Sequence, residues 1–179
     1  MIVICAPYIH LVRQWADDVE KAFPKAKIIM ALSENTSWEQ QISQEIIRKQ
    51  YSPENQIIII STISSFKLPR FLSAINKSAE EKLLIVDEAH RFTYRPEELK
   101  DTFPYLLGLS ATPYSGTSAQ KGFELMEWFG GQVFSLPIEK ALERGFLVPY
   151  NYYPVYVHST EDEENKFKHH TQRILSCFK

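Results

Sequence analysis

Two adjacent carboxylates, Asp87 and Glu88, directly follow the short apolar run Leu83–Val86. Such a run predicts a buried strand, and a parallel sheet places its active site at the carboxyl ends of its strands. Phosphoryl transfer needs one carboxylate to hold Mg²⁺ through its water shell and a second group to orient and deprotonate the attacking water. Asp87 suits the first role and Glu88 the second. With Ala89 and His90 after them, they predict a phosphoryl-transfer site more than solvated surface charge.

A second apolar run ends in small hydroxyl-bearing residues. Ser110, Ala111 and Thr112 follow the strand predicted at Tyr105–Leu109. Taken alone, they are typical of an ordinary Ser/Thr-Pro turn. Because they come after Asp87–His90, we favour a role in which the hydroxyls bond to the carboxylates or to His90 and sense the γ-phosphate.

Strands and helices alternate along the chain. Apolar residues at spacings of three and four, such as Val12, Trp15 and Val19, predict helices between the strands. This alternation predicts an α/β domain with a mostly parallel sheet. Short, continuously apolar runs predict six buried strands, namely Ile2–Cys5, Lys27–Ala31, Gln56–Ile60, Leu83–Val86, Tyr105–Leu109 and Gln132–Leu136.

Several residues mark helix ends. Thr36 with Glu39 and Thr160 with Glu163 have the spacing of a capping box at a helix start. Gly145 is placed to end a helix. Two prolines are predicted as first helical residues, Pro69 and Pro137.

The aromatic and histidine-rich C-terminal part allows more than one interpretation. The tyrosines of Tyr150–Val157 have the types that stack on bases, but we favour a strand with one buried aromatic face. His158, His169 and His170 lack the i, i+4 spacing of a helical metal site, so we favour solvated residues. Trp128 and Phe129 are predicted to pack in the core ahead of a flexible turn.

Composition limits the class of protein. The chain has 179 residues, 20 Lys+Arg against 22 Asp+Glu, and a net charge of −2, which suits one domain and excludes a uniformly basic nucleic-acid wrapper. Its two cysteines, Cys5 and Cys177, are far apart in sequence, which argues against a disulfide framework or a cysteine zinc site and favours a reducing, cytoplasmic setting. No apolar run approaches the roughly 20 residues that cross a bilayer.

These motifs together resemble the superfamily 2 helicases and translocases with a DEAH-type box. Asp87–His90 matches motif II, and Ser110–Thr112 matches motif III. Ile2–Trp15 is similar to motif Ia, and Ile60–Phe66 is similar to motif Ib. Gly145–Tyr150 resembles the exit from the first motor domain in helicases related to the excision-repair and restriction systems.

The resemblance implies a three-layer RecA-like P-loop NTPase domain that uses ATP and Mg²⁺ and contacts nucleic acid, with DNA expected. By the resemblance, Asp87 holds Mg²⁺ through water and Glu88 activates the attacking water. His90 acts with motif III, Ser110 to Thr112, to couple the nucleotide to the nucleic acid. On the same basis the chain is part of an ATP-dependent DNA helicase or translocase.

The resemblance also implies nucleic-acid contacts from Pro7, Ser61 and Thr62, through amides and hydroxyls that bind the sugar-phosphate backbone. Structural roles explain two of these residues equally well. Pro7 is placed to end a strand, and Thr62 is placed to cap a helix.

The sequence departs from the family in its phosphate loop. None of the six glycines is followed by lysine, so the Gly-Lys-Ser/Thr loop that surrounds the phosphates is missing. The resemblance implies that this loop precedes Met1, so that residues 1–158 form an N-terminally truncated first RecA-like domain and residues 159–179 begin a linker or insertion helix. The arginine finger would come from a second RecA-like domain.

From this departure we expect the chain alone to be inactive as an ATPase. The strand before motif III should have an open edge, which favours rearrangement or an oligomer. The alternative is a truncated or split fragment that binds nucleic acid without catalysis. A two-metal nuclease is disfavoured because no further carboxylate pair follows a predicted strand.

Overall fold

The computed structural model describes residues 1–113 and 119–177, with side chains from residues 1–113 and 122–176. They fall into two compact units, Met1–Val133 and Phe134–Lys179. The domain boundaries expected from the resemblance remain a prediction.

The first unit is built on one all-parallel sheet. Within the described part of the chain the sheet has five strands in the order β2-β3-β1-β4-β5. The strands are β1 (Ile2–Ala6), β2 (Lys27–Ala31), β3 (Ile57–Thr62), β4 (Leu83–Val86) and β5 (Tyr105–Gly108).

Helices connect the strands and follow the sheet. In the first unit these are α1 (Ile9–Ala22), α2 (Trp38–Tyr51), α3 (Ile63–Phe66), α4 (Pro69–Ile75), α5 (Glu98–Thr102) and α6 (Ala119–Trp128), with a 3₁₀ turn at Ala89–Arg91. In the second unit these are α7 (Ile138–Glu143) and α8 (Glu161–Cys177).

The sheet is covered on both faces. Val3 and Cys5 belong to a core cluster with residues from α2, α3 and α4, whereas Ile4 and Ala6 belong to a second cluster with residues from α1. This alternation follows from the strand period of two residues, which points neighbouring side chains to opposite faces. The result is the predicted three-layer α/β architecture of a RecA-like domain.

The alignment of the strands brings four strand ends to one edge of the sheet. Cys5 lies opposite both Ser61 and Val86, and Val86 lies opposite Gly108. The residues that follow β1, β3, β4 and β5 therefore all emerge at the same carboxyl edge, where parallel sheets bind their ligands.

Five of the six predicted strands are present, within two residues at each end. The sixth, predicted at Gln132–Leu136, is wrong, because the structure has neither strand nor helix there and Val133 and Phe134 are largely exposed. The predicted strand at Tyr150–Val157 is also wrong. Its tyrosines are at least 78% exposed, so no aromatic face is buried. Apolar runs form buried strands only where a neighbouring strand and a covering layer exist.

The predicted helix ends agree in part. Pro69 is the first residue of α4, and Gly145, with φ of 71°, follows the end of α7 as predicted. Pro137 is instead the residue before α7. The first predicted capping box is wrong, because α2 begins after Ser37 and no side chain there makes a cap bond.

The second predicted capping box is confirmed. The Thr160 amide donates to a Glu163 carboxylate oxygen at 2.8 Å, and the Glu163 amide donates to the Thr160 hydroxyl at 3.4 Å. Trp128 packs in the core of the first unit as predicted. Among the described helices, none is both long and apolar enough to cross a membrane.

Candidate active site

The carboxyl edge of the sheet begins with an acidic turn formed by Asp87 to His90. The Asp87 amide donates to the Cys5 carbonyl at 2.8 Å, which continues the pairing of β4 with β1. The Ala89 amide then donates to the Leu109 carbonyl at 2.8 Å, next to the end of β5. These main-chain bonds hold the turn between the ends of two neighbouring strands.

Glu88 lies in the left-handed region of backbone conformation, with φ of 48° and ψ of 49°. Within the described residues it is the only non-glycine residue with positive φ. For a residue with a side chain this conformation costs about 1–3 kcal/mol, and such residues cluster at functional sites. The sharp change of direction is what allows two successive carboxylates to serve the same edge of the sheet.

The Asp87 carboxylate is held by two N–H donors, one on each oxygen. The Glu88 amide donates to Oδ1 at 2.9 Å, and the Trp15 indole Nε1 donates to Oδ2 at 2.9 Å. A carboxylate oxygen has two acceptor sites, so each Asp87 oxygen retains one for a further ligand such as a water molecule.

His90 joins the acidic turn to the residues after β5. Its Nδ1 lies 3.0 Å from the Ser110 hydroxyl and 3.3 Å from a Glu88 carboxylate oxygen. The Ser110 hydroxyl also accepts the Thr112 amide at 3.2 Å. The Glu88 side chain is 41% exposed, so it faces solvent while His90 is largely enclosed. The structure thus brings Asp87, Glu88, His90 and Ser110 into one connected group.

The residues expected to contact nucleic acid have different environments. Pro7 is half-buried after β1. Thr62 is buried, and its hydroxyl accepts the Ser65 amide at 3.1 Å, so it caps α3. Ser61 is fully buried beside Cys5, whose thiol pKa burial raises to about 12. The Ser61 hydroxyl therefore has no access to a nucleic-acid backbone in this conformation.

Ala111 and Thr112, the other residues expected to form motif III, lie after the end of β5. Ala111 is exposed after the end of β5, and Thr112 turns its amide back onto Ser110. Their positions are consistent with a tight turn that presents the Ser110 hydroxyl to His90.

Sequence reasoning gave no site role to three residues near this edge, although two of them, Tyr8 and Trp15, lie in the range compared with motif Ia. Trp15 is assigned by its spacing to the core face of α1, yet its indole reaches Asp87. Arg91 donates from Nη1 to the Tyr8 hydroxyl, and its guanidinium carbon lies 5.3 Å from the Tyr8 ring centroid. The available signal was position alone, since all three lie two to nine residues after a strand end.

The donor set fits a hydrated Mg²⁺ better than a metal bound by protein alone. Among the described residues no group of three His, Cys, Asp or Glu side chains is arranged to hold a metal ion. Mg²⁺ commonly keeps several waters and binds through one or two carboxylates together with substrate phosphates. The free acceptor sites of Asp87 suit that mode.

The five-stranded parallel sheet with an acidic turn at its carboxyl edge is the arrangement of a RecA-like α/β domain, and a family match identifies it as the first motor domain of a superfamily 2 helicase. Residues 1–115 match the family model described as "Type III restriction enzyme, res subunit" (ResIII). Because this match covers more than half of the chain, the chain belongs to that family.

A similar solved structure supports the fold. It is a nuclease-deletion mutant of the Type ISP restriction-modification enzyme LlaGI in complex with a DNA substrate mimic. It is 17% identical with a TM-score of 0.55, and the match covers 81% of this chain and 14% of that chain. A de novo designed protein of the PLOOP2X3_50 fold, 14% identical, has a TM-score of 0.39 over 80% of this chain and 93% of its own. A search of curated proteins gave no match.

Proposed function

We propose that this chain supplies the Mg-ATP hydrolysis residues and part of the nucleic-acid contact surface of an ATP-dependent DNA helicase or translocase. The observation that carries the proposal is the acidic turn, in which Asp87 and Glu88 leave β4 in succession and His90 bonds to Ser110. Membership of the ResIII family supports a motor domain, and the proposal adds the reaction and the residues that perform it.

Asp87 would hold the metal through its water shell. Each of its oxygens accepts one N–H and retains one acceptor site for a metal-bound water. When bound, Mg²⁺ supplies charge neutralisation of the phosphate oxygens during phosphoryl transfer.

Glu88 would orient the attacking water and accept its proton. Its side chain is 41% exposed and is directed by a left-handed backbone, so water reaches it without displacement of core residues. His90, within 3.3 Å of that carboxylate, holds Glu88 in place and connects it to Ser110. A movement of the Glu88 carboxylate would therefore be transmitted through the His90 imidazole to the Ser110 hydroxyl.

Nucleic acid would bind along the same edge of the sheet. Pro7 follows β1 and is half-buried, so its neighbouring main chain can contact a sugar-phosphate backbone. The Ser61 and Thr62 hydroxyls are directed into the protein, so the contact proposed at this strand end is made by the main chain that follows β3. DNA is the proposed partner because the LlaGI structure was obtained with a DNA substrate mimic. This chain spans only 14% of that protein.

A non-catalytic role is the second candidate, and one observation favours it. The sequence has no Gly-Lys pair, so it cannot form the loop that surrounds the β- and γ-phosphates. A chain with the carboxylates and without that loop would bind nucleic acid at most.

ATP hydrolysis measured on two proteins separates these candidates. The first is the 179-residue chain, and the second, called the extended motor, is this chain joined to a phosphate-loop segment before Met1 and a second RecA-like domain after Lys179. We expect DNA-stimulated hydrolysis by the extended motor only, because loss of an arginine finger alone costs about 10³–10⁵ in rate. Hydrolysis by neither protein, with nucleic-acid binding by both, would favour the non-catalytic role.

A further inference from the structure

The indole of Trp15 makes a long-range hydrogen bond that the reaction scheme above leaves without a purpose. Its Nε1 donates to Oδ2 of Asp87 at 2.9 Å, between residues 72 positions apart in sequence. Trp15 is half-buried on α1 and packs against the core cluster on that face of the sheet. The ring is therefore held in place by packing, independently of its bond to Asp87.

The bond completes a symmetrical support for one carboxylate. The Glu88 amide donates to Oδ1 from the main chain, and the Trp15 indole donates to Oδ2 from α1. Because each carboxylate oxygen accepts one donor, rotation of the carboxylate would break both hydrogen bonds. The remaining acceptor site on each oxygen then keeps a constant direction.

We infer that Trp15 is a positioning residue that orients the Asp87 carboxylate for the water shell of a divalent cation. The inference rests on the proposed function, in which Asp87 holds the metal. Groups that hydrogen-bond a metal-binding side chain typically change metal affinity 10- to 100-fold when they are lost. Trp15 lies on the helix that follows Pro7, so the same bond links the metal carboxylate to the segment proposed to contact nucleic acid.

The test uses Mn²⁺ as a paramagnetic probe that replaces Mg²⁺, with the 179-residue chain labelled for NMR. The quantity compared is the Mn²⁺ concentration that halves the Ala89 amide signal, which every variant retains. Trp15→Phe keeps an aromatic ring and removes the donor, and we expect this concentration to rise about ten-fold. Excess Mg²⁺ should restore the signal in the wild-type chain.

Trp38→Phe is the matched control. Trp38 is 1% exposed, belongs to the core cluster on the other face, and packs on Phe71, so its replacement tests loss of a buried indole without contact to Asp87. We expect its Mn²⁺ response to equal that of the wild-type chain. The wild-type indole signals give a second readout, in which Trp15 should broaden before Trp38 and Trp128.

The possible results distinguish the positioning role of Trp15 from the metal-binding role of Asp87 on which it rests. If Asp87→Asn leaves the Mn²⁺ response of Ala89 unchanged, the proposed metal role of Asp87 fails. If Asp87→Asn abolishes the response while folded Trp15→Phe retains it at the wild-type concentration, only the role of Trp15 is overturned. If Trp15→Phe does not fold, the wild-type chain decides, and equal broadening of the three indole signals overturns the inference.

Discussion

Glu88 shows how one unusual residue organises the site. Its left-handed backbone turns the chain sharply after β4, and its own carboxylate lies near His90 while Asp87 accepts the hydrogen bond from the indole of Trp15. An extended residue at the same position would direct successive side chains to opposite faces of the sheet. The cost of the conformation is therefore compensated by a geometry that a regular strand end cannot provide.

Replacement of Ser110 by alanine should impair coupling. The variant removes the hydroxyl that lies 3.0 Å from His90, and one such bond contributes about 0.5–1.5 kcal/mol. In the extended motor we expect DNA stimulation of ATP hydrolysis to fall about five- to ten-fold, with nucleotide affinity unchanged. Ser73→Ala, at an exposed position of α4, is the control and should behave as wild type. Full stimulation in Ser110→Ala would contradict a coupling role.

The sequence predicts the site residues better than it predicts their contacts. Asp87, Glu88 and Ser110 follow from apolar runs that end in polar residues, and a bond from Ser110 to His90 was among the expected contacts. The hydrogen bond from Trp15 to Asp87 cannot be predicted from the sequence. Helical spacing places Trp15 on the apolar face of α1, but it does not say how far α1 extends past the ends of the strands. The burial of Ser61 could not be predicted either, because a serine at the end of a strand can point toward the core or toward solvent.

At the scale of elements, Gly108 of β5 packs closely against Phe129, the residue that follows α6. A Cβ at Gly108 would lie 3.0 Å from the ring of Phe129. We expect Gly108→Ala to lower the free energy of unfolding of the chain by about 1–3 kcal/mol, because it overpacks this contact. Urea denaturation measures the change. A double variant with Phe129→Leu should lose less than the sum of the two single changes, whereas strict additivity would show that the contact is unimportant.

The start of α8 should respond to pH. Hydrogen bonds from the Thr160 amide and hydroxyl to its carboxylate hold the pKa of Glu163 below its ordinary value. A depressed pKa means that the stabilisation is complete above the unfolded pKa and is lost as the pH falls through the folded pKa. The amide-exchange protection factors of residues 161–164, which correct for the intrinsic pH dependence of exchange, should therefore fall on acidification in the wild-type chain.

Glu163→Gln provides the matched comparison for that helix start. Glutamine has no charge to lose, so the loss of protection on acidification should be smaller in this variant, and the remainder should come from Glu161, Asp162 and Glu164 in the same turn. An identical acid transition in both proteins would show that Glu163 does not stabilise the helix start.

The elements that sequence reasoning placed correctly are those whose local pattern agrees with their surroundings. Five apolar runs became strands because each has a neighbour in the sheet and helices over its faces. The runs at Gln132–Leu136 and Tyr150–Val157 have equally suitable residues and no such neighbours among the described strands. Strand formation depends on partners that a sequence window does not contain.

At the scale of the whole molecule, the unpaired edge of β5 should determine whether the chain self-associates. β5 lies at one end of the sheet among the described strands, and Tyr105 at its start is 53% exposed. We predict that the 179-residue chain self-associates through this edge, since unpaired strand edges template pairing between chains.

Tyr105→Lys tests that prediction by placing a charge on the edge. Tyr105 donates to Glu81, so lysine can form an ion pair with the same carboxylate while it opposes pairing of two chains. Sedimentation equilibrium should show an association constant about ten-fold lower, a change of about 1.4 kcal/mol. Tyr51→Lys, at an 84% exposed position on α2, should leave it unchanged. A wild-type chain that is monomeric at all concentrations would contradict the prediction.

ATP hydrolysis by the extended motor with Glu88→Gln tests most directly whether the acidic turn is the catalytic site of a motor. The matched control is Glu97→Gln, which alters a 75% exposed carboxylate paired with Lys100. We expect Glu88→Gln to lower kcat about 10²–10⁴-fold, the usual contribution of a general base, with ATP still bound. We expect Glu97→Gln to retain wild-type kcat. A Glu88→Gln variant that hydrolyses ATP at the wild-type rate would contradict the assignment of the acidic turn as the site of hydrolysis.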